Sequence, residues 1–206
     1  FGADMGFEKF VDIKCRTSGI YPDAVVLVAT VRALKMHGGG PKVTPGKSLA
    51  DVYVKEDVEL LKKGLANLTA HLGIVRKFGV PAVVAINAFP TDTEAEWAAI
   101  KEASIKAGAV DAVVTKNWAE GGDGAVELAE AVVRAADKPS DVKPFYPLDL
   151  SIKEKIERIA REVYGADHVS YSAEADKAIG KFGELGYDRL PICMAKTQYS
   201  LSDDPA

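Results

Sequence analysis

The chain has 206 residues, of which 48% are hydrophobic and 27% charged, with a formal net charge of -4; this composition excludes a disordered or fibrous chain. Acids and bases are interspersed, which argues against a surface built for nucleic acid or anionic lipid and leaves room only for a local phosphate-binding cluster. No apolar run approaches the roughly 18 residues a bilayer crossing requires, so neither nucleic acid nor a membrane is an expected partner.

Residues 1–22 are Gly-containing and mixed in pattern, predicting a loop, a short helix and the approach to a strand. The run from Ala24 to Thr30 is apolar almost throughout, the pattern of a central parallel strand covered on both faces. It runs into Arg32, Lys35 and His37 and then Gly38-Gly39-Gly40. A loop follows from Pro41 to Ser48. Over 51–77 the residues Val54, Val58, Leu61, Leu65, Leu68 and Leu72 recur at spacings of three and four, predicting a helix. A second strand is expected over 80–86, with Pro81 at its start where a missing donor is tolerated. Thr93 can cap a helix over 94–107, and Glu96 completes a capping-box pattern.

A third strand spans Ala109 to Thr115, and a helix over about 123–136 follows Gly121-Gly122-Asp123-Gly124. Strands alternating with helices at this spacing predict an α/β fold with a doubly wound, mostly parallel, Rossmann-like sheet. Lys138 to Pro147 reads as a linker or a short edge strand, and so as a sub-boundary. Asp149 or Ser151 starts a helix that runs through Tyr164 and is ended by Gly165. A strand over Ala166 to Tyr171, a helix from Glu174 to Gly183 and a last strand from Leu190 to Lys196 complete the prediction. The domain reading is a preceding region over 1–22 and an α/β domain over 23–206.

Open α/β sheets bind ligands at the carboxyl ends of their strands. Asn87-Ala88-Phe89-Pro90 leaves the second strand at that edge, and Thr115-Lys116-Asn117-Trp118 leaves the third. Phe89 and Trp118 can therefore face one another across a cleft, an arrangement suited to a flat, partly polar heterocycle. The alternative makes Phe89 a core aromatic and Asn87 a turn former. Trp97, within a predicted helix, reads as packing. Arg32 and Lys35, a planar fork and a movable point charge, are candidates for phosphate contacts; the plainer reading leaves Lys35 in solvent and His37 in an interdomain contact.

Other patterns carry less. Gly46-Lys47-Ser48 resembles the end of a phosphate loop, but G-x-x-x-x-G-K-[ST] requires glycine at position 41, where Pro41 stands. No G-x-G-x-x-G follows a predicted strand, so a dinucleotide site is weakly supported. Glu94 with Glu96 reads as a helix first turn, and Asp203 with Asp204 as a solvated tail. The three histidines have no ligand spacing, and no metal site is expected. Cys15 and Cys193 read as reduced, buried thiols. Lys196-Thr197-Gln198-Tyr199-Ser200 is a polar stretch at the sheet edge, a possible pocket or domain contact.

Several segments resemble the formate–tetrahydrofolate ligase family in order along the chain. They are Phe1-Gly2-Ala3-Asp4-Met5-Gly6 with Glu8-Lys9-Phe10 and Asp12-Ile13-Lys14-Cys15-Arg16, Val28-Ala29-Thr30-Val31-Arg32-Ala33-Leu34-Lys35-Met36-His37-Gly38-Gly39, Gly64-Leu65-Ala66-Asn67-Leu68, Ala85-Ile86-Asn87-Ala88-Phe89-Pro90-Thr91-Asp92-Thr93, Trp118-Ala119-Glu120-Gly121-Gly122, Tyr146-Pro147-Leu148-Asp149-Leu150 and Ile192-Cys193-Met194-Ala195-Lys196-Thr197-Gln198-Tyr199-Ser200-Leu201. The resemblance implies a fragment of a larger multidomain enzyme of P-loop type, whose nucleotide phosphate loop lies upstream of Phe1. It implies ATP, formate and tetrahydrofolate as substrates, formyl phosphate as intermediate, and Mg with a monovalent cation as accompanying ions. A cytoplasmic homo-oligomer is also implied. The folate ring would lie between Phe89 and Trp118, with Asn87 and Pro90 beside them. The chain alone is expected to be inactive; a non-catalytic assembly domain and a nucleotide-binding module are the alternatives.

Overall fold

The computed structural model describes residues 3–195 and Leu201. Pro22–Ser140 forms one compact unit, and the described residues up to Tyr21 and from Asp141 form the other. In chain order the elements are α1 (Arg16–Ser18), β1 (Val25–Ala29), α2 (Val31–His37), α3 (Val58–Lys77), β2 (Ala82–Asn87), α4 (Glu94–Lys106), β3 (Asp111–Thr115), α5 (Asn117–Glu120), α6 (Val126–Ala136), α7 (Ile152–Tyr164) and α8 (Ala173–Glu184).

Within Pro22–Ser140 the strands pair in parallel in the order β1-β2-β3, the α/β arrangement expected from sequence. The central strand β2 is buried from Ala82 to Ile86, as a parallel strand covered on both faces must be. On one face Val83 and Val113 pack with Ala131 and Ala135 of α6, and Arg134 of α6 pairs with Asp111 at 2.8 Å. Helix α3 packs against β1 and β2, and α4 against β2 and β3, and Val84 and Ile86 are fully covered. The first strand, expected to be central and covered on both faces, is instead an edge of this three-stranded sheet: β1 keeps Val26 and Val28 at 40% and 64% exposed, because α6 packs on β2 and β3.

Two boundaries differ from expectation. The first strand stops at Ala29, and Thr30 caps α2 at once, its hydroxyl accepting from Ala33 N at 3.1 Å. The helix expected over 51–77 is divided: Asp51–Tyr53 is a single 3-10 turn, and Asp57 caps α3 by accepting from Leu60 N at 2.9 Å. A carboxylate at the cap position is the stronger start signal, so the apolar spacing of Val54 is overridden. In α4 the capping box between Thr93 and Glu96 forms as predicted.

Gly38 joins two helices. A Cβ at Gly38 would lie 2.1 Å from Leu60 O, and one at Gly64 would lie 1.8 Å from Leu34 O. The two glycines let α2 and α3 meet backbone to backbone. The C-terminus of α2 is thus occupied by a neighbouring helix.

In the other unit, π-helical stretches Ala3–Phe7 and Phe10–Cys15 lead into α1. Asp4, Glu8, Asp12 and Arg16 recur every four residues and so share one face; the three acids are buried. Phe145 N donates to Asp12 Oδ1 at 2.8 Å, and Arg16 Nη2 to Tyr146 O at 2.6 Å. Helix α7 has a capping box at Ser151 and ends at Gly165 with φ 64°, both expected. Its buried Lys155 donates to the carbonyls of Asp188 and Leu190, while the Tyr146 hydroxyl accepts from Ile192 N. Those bonds satisfy backbone groups that a strand would have paired. Residues 166–171 and 190–195 are accordingly irregular rather than the strands expected, and 138–147 contains no edge strand. Cys15 is buried but Cys193 is exposed, which corrects the expectation for the second thiol. The stretch Lys196–Ser200, with Asp203 and Asp204, lies outside the described residues, as do Phe1 and Gly2 of the first resembling segment. None of the described helices is long and apolar enough to cross a membrane.

Burial and the neighbouring Asp12 carboxylate push the Glu8 carboxyl from its ordinary 4.5 to about 8. The folded chain holds that proton up to about pH 8 while the unfolded chain releases it near 4.5, so stability falls as pH rises across the interval. Glu8→Gln, an uncharged near-isostere, is expected to raise the urea midpoint above pH 8 and leave it nearly unchanged at pH 5. An equal shift at both pH values would show that the proton is not held.

Candidate functional site

Because the strands are parallel, β1, β2 and β3 end at one edge, and the segments that follow them meet there. Asn87 closes β2 in register with Thr115 of β3. Ala88 N then donates to Thr115 O at 3.0 Å, so the turn that carries Phe89 starts fixed to the neighbouring strand. Asp92 fastens it again: Oδ2 accepts from Phe89 N at 2.9 Å, and Asp92 N donates back to Phe89 O at 3.0 Å. Burial raises the Asp92 carboxyl above its usual range, against the opposing pull of the Phe89 amide, the Trp97 indole and the Arg32 guanidinium.

Arg32, on the first turn of α2, lies over the Phe89 ring at 4.0 Å from its centroid. Its Nη2 reaches Thr91 Oγ1 at 3.3 Å, and its Nε is buried without a hydrogen-bond partner. The sequence placed Arg32 and Phe89 at the same edge but gave no sign that they stack. Pro90 is exposed beside them, and His37 is exposed at the end of α2.

Lys35, one turn further along α2, is 1% exposed and not in solvent. Its Nζ is 2.5 Å from Glu96 Oε1 and donates to Lys55 O at 2.7 Å. Glu96 in turn accepts from Asp57 N at 3.0 Å and Thr93 N at 3.1 Å. Those donors and the Lys35 charge hold the Glu96 carboxyl below its ordinary value in spite of burial. The capping-box pattern disclosed one of these bonds. The partner across 61 positions left no local signal in the sequence, since an ion pair between distant elements has no periodicity.

Trp118 sits on the single turn α5 directly after β3 and is 87% exposed. That turn is braced by Gly124: Lys116 N donates to Gly124 O at 2.9 Å, and a Cβ at Gly124 would fall 2.6 Å from the Lys116 carbonyl carbon. Beside it a cleft of about 290 Å³ is lined by Trp97, Val114, Lys116, Glu120, Asp123, Gly124 and Glu127. Trp97, read from sequence as a packing residue, lines this cleft. Among the described residues no three His, Cys, Asp or Glu side chains converge to hold a metal ion.

A family model described as Formate--tetrahydrofolate ligase matches residues 1–206. The chain is 56% identical over 206 residues to "C-1-tetrahydrofolate synthase, cytoplasmic" of Spodoptera frugiperda, covering all of this chain and 22% of that protein. It is 53% identical over 205 residues to the protein of the same name from Homo sapiens, again 22% of its length. To "Formate--tetrahydrofolate ligase" of Desulforamulus reducens it is 51% identical over 206 residues, which is 36% of that protein. The chain therefore spans between a fifth and two fifths of the length of these relatives.

Proposed function

Since the chain belongs to the formate–tetrahydrofolate ligase family, we propose that it supplies the folate-stacking side of an ATP-dependent ligase that joins formate to tetrahydrofolate. Formate is a poor acyl donor until one oxygen carries phosphate; the folate N10 then attacks the formyl carbon, the bond to the phosphate oxygen breaks, and phosphate leaves with the proton that N10 gives up. This needs a pterin held in register with the acyl phosphate more than it needs a protein nucleophile. The observation that carries the reading is the pair of aromatics at one sheet edge: Phe89 held by ring and backbone, and Trp118 with its indole in solvent.

In this reading Phe89 and Trp118 contact the pterin, with Asn87 and Pro90 flanking it. Arg32 is the cation in contact with the Phe89 ring. Lys35 acts through Glu96, holding α2 against α4. ATP and any phosphate loop belong to the remainder of a longer, cytoplasmic, homo-oligomeric protein, and this chain alone is inactive. Mg and a monovalent cation accompany ATP in this scheme; among the described residues no three His, Cys, Asp or Glu side chains are placed to hold either, and no step here passes through them. The exposed Val26 and Val28 also favour a second reading, an assembly domain whose β1 face is covered by other parts of the protein.

Calorimetric titration of tetrahydrofolate into the full-length protein tests the proposal. Phe89→Ala and Trp118→Ala are each expected to weaken binding by roughly 10- to 100-fold, the scale of one lost aromatic stack. Trp118→Ala with unchanged affinity would remove the pterin from this edge. The isolated chain with formate and ATP is expected to release no ADP.

A further inference from the structure

We propose that Arg32 is a positioning residue for the stacking ring: it backs one face of Phe89 and commits the opposite face to the ligand. This rests on the reading above, in which Phe89 contacts folate.

The geometry assigns the guanidinium to the ring more than to polar partners. It lies 4.0 Å from the Phe89 centroid, a distance typical of a full cation–π contact. Of its donors, Nη2 reaches Thr91 and Nε is buried with no acceptor. A guanidinium placed by hydrogen bonding alone would not leave its buried Nε donor unmet. The Phe89 ring is therefore the main partner that holds the guanidinium, and the guanidinium in turn holds the ring.

The mount beneath Arg32 is rigid. Thr30 caps α2 where β1 ends, Gly38 and Gly64 hold the helix at backbone contact with α3, and Lys35 pins it through Glu96 to the first turn of α4. The same Glu96 closes the capping box at Thr93, the end of the segment that carries Phe89. Helix α2 thus grips that segment at Phe89, Thr91 and Thr93. Only arginine suits the first of these positions, since its plane can lie flat on the ring while its edge donates to Thr91.

This assignment differs from a phosphate contact in the substrate it affects. In the full-length ligase, Arg32→Ala is expected to raise KM for tetrahydrofolate about 5- to 20-fold and to leave KM for ATP and for formate within about twofold. Arg32→Lys, which keeps charge without the plane, is expected to fall between. In a Phe89→Leu background Arg32→Ala should add nothing further, because its effect passes through the ring. An undiminished effect in that background, a change confined to ATP or formate, or no change in any KM would each overturn the inference. Phe89→Leu with an unaltered KM for tetrahydrofolate would take down the stacking reading, and this inference with it.

Discussion

Lys35→Met is expected to cost the fold about 3 to 5 kcal/mol at neutral pH, the penalty for leaving a buried carboxylate without its counter-charge. Glu96 would keep its bonds from Asp57 N and Thr93 N, but those amides neutralise only part of its charge. The pH dependence separates this cause from lost packing, since Met fills most of the lysine volume. In the native chain the Glu96 carboxyl is held below its usual value, so its contribution is present above the unfolded carboxylate range and is lost as pH falls. In the variant, burial without Lys35 raises that group, and the sign reverses: the deficit is largest at high pH and shrinks as acid protonates Glu96. Urea melts of both chains from pH 4 to pH 8 would show this convergence. A loss that stays constant over the whole range would mean that packing, not charge, explains it.

Gly64→Ala is expected to destabilise by at least about 3 kcal/mol, at the upper end of overpacking effects, although alanine is favoured over glycine within a helix by about 1 kcal/mol. The added methyl would stand 1.8 Å from Leu34 O, 2.7 Å from Leu34 C and 2.9 Å from Gly38 N, all backbone atoms with no rotamer in which to withdraw. Helix α2 would have to lift off α3 and carry Arg32 away from Phe89 as it went. The internal control is Gly73, on the same helix, where an added Cβ meets nothing within 4 Å; Gly73→Ala should stabilise by about 0.5 to 1 kcal/mol. Equilibrium unfolding of the two variants, opposite in sign, is the measurement. Similar effects from both would contradict the close helix approach.

What the sequence disclosed was governed by local physics. The apolar run of Ala82–Ile86 is the buried strand it reads as, whereas the run ending at Ala29 reads the same way and leaves Val26 and Val28 exposed; Thr93, Ser151 and Gly165 act through atoms within five residues of themselves. Where two local signals competed, the reading lost its boundary. Val28 to Leu34 is apolar enough to hide the change from strand to helix, which Thr30 makes with one hydroxyl. The strand expected from Leu190 failed for another reason: a strand needs a neighbour, and in that unit Lys155 and Tyr146 take backbone groups of Asp188, Leu190 and Ile192 instead. The candidate site divides along the same line. Phe89 and Trp118 were legible from their places after two strands, whereas the burial of Lys35 and the stacking of Arg32 depend on contacts between segments about 60 residues apart,.

The two units also differ in when they can form. Pro22–Ser140 is contiguous, so every strand, helix and side chain of the candidate site has left the ribosome once Ser140 has been added and a short tunnel's length has followed. The segment before it has no such independence. Asp12 waits for Phe145, 133 residues later in synthesis, which at translation rates of about 5 to 20 residues per second is an interval of roughly 7 to 27 seconds. Through that time the segment carrying Glu8 and Asp12 must remain in water, where both are ionised at no cost. The two carboxylates that burden the finished fold at high pH are what keep this segment hydrated while it waits.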